Sequence, residues 1–140
     1  MIRSHVRTAL AAAILAAVVP GLSATPARAD LKLPRPSPKA VVTQTIGLTD
    51  FTVTYSRPGV KGRKIWSGLV PYGEVWRTGA NEATSFVTTG EAAIAGKKLP
   101  AGEYSLYTIP TENDWTVIVS TEKGVWGSFT YDKEKDAHRV

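Results

Sequence analysis

The chain contains no cysteine. Disulfides are excluded, as is a zinc site built on thiolates. Histidine is nearly as scarce, with only His5 and His138 present. Beyond the N-terminal segment a single histidine remains, too few for a zinc site of the usual kind. Ser56 and Ser67 have only His138 to activate them, so no hydrolytic triad is readable. Long apolar runs are equally rare. The one clear run, residues 9–19, is too short to span a bilayer as a helix. No long amphipathic helical period appears anywhere.

What the N-terminus does contain is an export signal. Arg3 and Arg7 form a basic start, the apolar run follows, Pro20 and Gly21 close it, and "ARA" ends at Ala29. Together these read as a cleavable signal peptide over residues 1–29. The expected compartment is periplasmic or extracellular. Of the 17 basic residues, Arg3, Arg7 and Arg28 would leave, so 14 oppose 12 acids and the mature net charge is +2. So weak a positive balance argues against a nucleic-acid partner.

Residues 30–40 carry prolines and basic residues and read as an extended leader. A single domain is expected from residue 41 to 140. "AVVTQTI", "DFTVTYS", "TSFVTT", "EAAIA", "EYSLYTI", "WTVIVS" and "VWGSFTY" have strand character, and "AHRV" looks like the start of one more strand. Gly47, Pro58–Gly59, Gly96, "LPAG" and residues 110–114 punctuate them. Alternation puts Phe51, Val53 and Tyr55 on one face of their strand. It also makes Trp115 a core residue. The expected fold is all-β, an antiparallel β-sandwich, with a small barrel as the alternative.

Residues 58–83 break the pattern. They have no sustained period, yet they hold Ile65, Trp66, Leu69, Val70, Tyr72, Val75 and Trp76. Such a stretch is too apolar for disorder. A long loop packed over the core is expected, and long loops in compact domains tend to be functional.

Two blocks in this region, "YSRPGVKGR" and "VPYGEVWRTGANEAT", are distinctive. With "GKKLPAGEYSLYTIP", "DWTVIVS" and "WGSFTYD" downstream, the chain resembles an exported bacterial family of domains of unknown function, DUF2911. The resemblance covers residues 40–140. It implies export, and a domain that runs on past residue 140. It carries no activity and no catalytic residues.

The chemistry must therefore come from the residues. Arg57, Lys61, Arg63 and Lys64 are interleaved with Pro58, Gly59 and Gly62. This suits either an anion-binding loop or a solvated basic turn. Glu74, Trp76, Arg77, Asn81 and Glu82 form a second group. Glu74 and Glu82 could serve as an acid–base pair on a glycan. The competing reading locks Arg77 to one or both carboxylates, with Trp76 packed beneath. Trp66, Tyr72, Trp76 and Trp126 could stack on a ligand or anchor the core. Asp132, Glu134 and Asp136 alternate as calcium ligands would, but lysines lie between them and no glycine stands where an EF-hand needs one.

The expectation is a non-enzymatic binding domain of the cell envelope, with no cofactor or metal. The alternatives are a Glu74/Glu82 hydrolase and a structural protein whose sheet edge pairs with a partner strand. The expected ligand is small and anionic, or a carbohydrate. Tyr55, Arg57, Arg63, Trp66, Glu74, Trp76, Arg77, Asn81 and Glu82 are the candidate site residues.

Overall fold

The computed structural model describes residues 33–140, so the expected signal peptide and its expected cleavage after Ala29 lie outside the described residues. Eight strands and one short 3-10 helix follow: β1 (Lys39–Ile46), β2 (Thr49–Ser56), β3 (Thr84–Thr88), β4 (Ala92–Ile94), β5 (Lys97–Leu99), β6 (Gly102–Pro110), β7 (Trp115–Ser120), the helix (Lys133–Lys135) and β8 (Asp136–Arg139). Six strands form one antiparallel sheet in the order β1-β2-β3-β6-β7-β8, and β4 and β5 form a second, two-stranded sheet. The sheets do not close, so the antiparallel two-sheet expectation holds and the barrel alternative does not. Among the described residues no helix is long and apolar enough to cross a membrane.

The strands form where β-branched and aromatic residues alternate. Their register then decides what each face carries. Tyr107 stands opposite Ile118, and Leu106 opposite Val119. Adjacent residues of a strand point to opposite faces. Tyr107 and Ile118 therefore share one face, where they pack with Ala83, Val75, Ile109 and Tyr131. Leu106 and Val119 share the other, where they pack with Leu99, Tyr104, Phe86 and Ile94. The long loop and the C-terminal segment cover the first face. The β4–β5 hairpin covers the second. Burial on both sides explains why Ile118 and Val119, neighbours in sequence, are both almost wholly buried.

Two expectations about elements fail. "VWGSFTY" is a loop, not a strand. Gly124 and Gly127 adopt φ of 62° and 77°, which ends any extended run, and only Trp126 makes an isolated bridge, to Glu82. β5 sits in a stretch that reads as turn, because three residues are too few to show a period. The leader is also shorter than expected, since Lys39 and Ala40 already belong to β1.

The long loop has no strand of its own, yet it is firmly attached. Gly73 N–H donates to Pro110 carbonyl, and Trp76 exchanges both backbone bonds with Thr108. The loop thereby extends the sheet along β6, beyond the point where β3 stops. Buried hydroxyls complete the attachment. Thr84 Oγ1 donates to Thr78 carbonyl at 2.9 Å, and the Thr78 and Thr108 hydroxyls lie 3.2 Å apart. Val70, 5 % exposed, is the loop's apolar anchor.

Candidate functional site

The loop and the end of β2 enclose a cleft of about 820 Å³. That is within the ordinary range for small-molecule sites. Its wall comes from the residues after β2, from the turn around residue 65, from residues 76–80, and from Pro36 and Ser37 of the leader. Tyr55, Arg57, Arg63, Trp66, Trp76 and Arg77 all line it, together with Lys61. Among the described residues no aspartate or glutamate does.

Each wall has a local reason. Trp66 sits in a tight turn where Leu69 and Val70 N–H groups donate to Lys64 and Ile65 carbonyls. Gly68 makes that turn possible. A Cβ there would meet Lys64 carbonyl oxygen at 2.5 Å. Trp66, Trp76 and Trp115 pack edge to face, with centroid separations of 5.8, 5.0 and 6.3 Å. Trp66 stays 40 % exposed and lines the cleft, while Trp115, the expected core residue, is 47 % exposed at the start of β7. Trp115 therefore buttresses the other two indoles from outside the core. Trp76 is fixed further by its Nε1–H, which donates to Gly79 carbonyl at 3.2 Å.

The cations differ in how they are held. Arg63 donates from Nε to Val60 carbonyl and from a terminal nitrogen to Gly59 carbonyl, at 3.0 and 2.6 Å. Its side chain thus ties the basic turn together. Arg57 and Lys61 are exposed, and no carboxylate among the described residues pairs with them. Arg77 is half-buried, and its Nε is buried with no hydrogen-bond partner among the described residues.

The expected Arg77 lock is therefore corrected. Glu82 pairs with Arg35 of the leader instead, at 2.8 and 3.0 Å from one guanidinium nitrogen to its two carboxylate oxygens. That guanidinium, followed by a backbone hydrogen bond, holds the Glu82 carboxyl below its ordinary value. Asn81 donates to Ser37 carbonyl at 3.3 Å. Both residues fasten the leader to the domain. Arg35 lies 47 residues from Glu82 in the chain, so no local pattern could reveal the pairing.

Glu74 is exposed and lines neither the cleft nor the smaller depression that holds Glu82. The two glutamates therefore do not face one another across a shared pocket. His138 is buried in β8 opposite Val119, with both ring nitrogens unpartnered among the described residues. Neither Ser56 nor Ser67 draws on it. Asp132 accepts from Glu134 N–H at 2.9 Å, and Asp136 is engaged by Tyr131 and Arg139. Both carboxylates thus have structural work in the C-terminal segment.

The chain matches a family described as "Protein of unknown function (DUF2911)" over residues 37–140. It belongs to the DUF2911 family. No curated protein and no solved structure matches it. The DUF2911 match spans every wall of the cleft except Pro36.

Sequence reasoning missed Ser37, Ile65, Thr78 and Gly79 as lining residues. Thr78 has the plainest structural signature. Its φ is 57°, a left-handed conformation that a β-branched residue rarely adopts. Lys61, Ser67 and Asn81 in the same region also have positive φ. Only asparagine signals this in sequence, because its short polar side chain tolerates the conformation.

Proposed function

We propose that the protein is an exported binding protein whose cleft takes a small anionic ligand with an apolar or ring-shaped body. One observation carries the reading. Arg57, Lys61, Arg63 and Arg77 line one cleft, and no carboxylate among the described residues lines it with them. Like charges gathered without counter-charge repel each other, and an anion would relieve that repulsion. Arginine forks suit carboxylate or phosphate oxygens. The exposed flank of Trp66, with Tyr55 and Ile65, offers a surface for the ligand's body. Left-handed Thr78 and Lys61 add support, since strained backbone costs about 1–3 kcal/mol and clusters at ligand clamps. The basic start, apolar run and "ARA" of the N-terminus support placing this site in the periplasm or outside the cell.

The test is a calorimetric and thermal-shift panel of sugar phosphates, uronic acids, aromatic carboxylates and neutral sugars of matching size. Anionic compounds should raise the melting temperature, and their neutral counterparts should not. The double substitution Arg57→Ala with Lys61→Ala should lower affinity about tenfold or more, the worth of one lost charge-assisted contact. Equal binding of neutral and anionic compounds would overturn the reading.

A further inference from the structure

We propose that the protein forms a two-fold dimer by pairing the free edge of β1 with β1 of a second copy. The sheet alone supplies the grounds, independently of the cleft. β1 is an outer strand and pairs only with β2 among the described residues. Its register with β2 is unbroken over eight pairs. Its sequence, KAVVTQTI, has no proline and no charge after Lys39. Edge strands that stay single are blunted by charge, proline, bulges or shortness. β1 has none of these protections from Ala40 to Ile46. The opposite edge, β8, is different: it has only four residues, and its register shifts at Val119/Ser120. Seven of the eight β1 residues are exposed, including Val41 at 59 %, Val42 at 55 % and Ile46 at 64 %. These apolar side chains lie on both faces of the strand, as a strand meant for pairing requires.

Symmetry then restricts the register, and the charges choose among the pairings it allows. A two-fold axis normal to the sheet keeps each face on its own side. Residues of the same alternation class must stand opposite one another. Centred on Val42, the pairing sets Val42 against Val42, Val41 against Thr43 and Lys39 against Thr45. Thr45 Oγ1 donates to Asp50 Oδ1 at 2.6 Å, and Asp50 is its cross-strand partner in β2. In this register the lysine of each copy stands on the same face as the aspartate of the other and one strand from it, at both ends of the seam. This self-complementary charge pattern is the reason to assign a second copy of the chain, not an unrelated strand, to the edge.

The experiment is sedimentation of the purified full chain across a concentration series, with circular dichroism as the control for folding. The wild-type chain should move from the mass of one chain to that of two as concentration rises. Val42→Lys and Val42→Glu should each keep the wild-type spectrum and weaken association at least about tenfold, because like charges would stand directly opposite. Mixing the two variants should restore the dimer as a mixed pair. A wild-type chain that stays monomeric throughout would overturn the proposal, as would a Val42→Lys chain that still dimerises like wild type. Failure of the mixed pair would overturn the Val42-centred register.

Discussion

Arg139 and Arg77 show two ways in which this domain holds a guanidinium. Arg139 donates to Asp136 from two nitrogens, at 3.2 and 2.9 Å, and to Tyr131 hydroxyl at 2.6 Å. Tyr131 in turn donates to both Asp136 oxygens and packs edge to face on Tyr107. Burial, and the hydrogen bond to Asp136, push the Tyr131 hydroxyl above its ordinary value. Every member of this group is answered by another, and the group closes the C-terminal segment over the core. Arg77 lines a cleft with three other cations, and no carboxylate among the described residues there answers any of them. A structural arginine satisfies its donors within the fold. A binding arginine keeps capacity for something outside it. The two sites differ in their partners, and the proposed binding role of Arg77 rests on that difference.

The largest effect should come from breaking the closed group. Asp136→Ala would leave Arg139 and the Tyr131 hydroxyl without their shared acceptor, and the Asp136 side chain is only 10 % exposed. A loss of about 2–4 kcal/mol is expected, toward the lower end for a group that still touches solvent. Chemical denaturation measures it, and an unchanged midpoint would contradict the fastening role.

Arg77→Ala sharpens the contrast. It removes no ion pair seen among the described residues and deletes a buried donor that has no partner. Stability should change by less than about 1 kcal/mol in either direction. Affinity for an anionic ligand should fall about tenfold or more. A large drop in melting temperature would place Arg77 with Arg139 as a fastening.

The smallest effect concerns the leader. The Glu82 carboxyl is held below its ordinary value, chiefly by Arg35. A lowered carboxyl contributes stability that is present above its unfolded value and is lost as pH falls through its folded value. The pair is partly exposed, so its contribution is at most about 0.5–1 kcal/mol. Arg35→Ala should remove that dependence in the acid range where carboxylates titrate, measured as melting temperature against pH. A wild-type profile in the variant would show that Arg35 does not set the Glu82 titration.

Much of the fold could be read in advance, because β-branched alternation and turn residues are local signals. The strands containing Val53, Phe86, Tyr104 and Ile118 all form where the alternation places them. Trp115 was misread because alternation assigns a face but cannot tell whether that end of the face is covered. "VWGSFTY" was misread because its apolar residues resemble a strand while its glycines take left-handed backbone. In the site, arginines and tryptophans announced themselves by type. Their partners did not.

Sequence alone determined the residue types in the long loop, the absence of cysteine, and the strand-forming segments. These follow from composition and from contacts between near neighbours. Tertiary structure decided that Glu82 belongs to Arg35, that Glu74 stands apart, that Arg57, Lys61, Arg63 and Arg77 share one cleft, and that β1 is an outer strand among the described residues. Those facts depend on which distant segments the sheet brings together. A charge has no preferred partner until the chain has folded, because attraction falls with distance and water screens whatever remains apart.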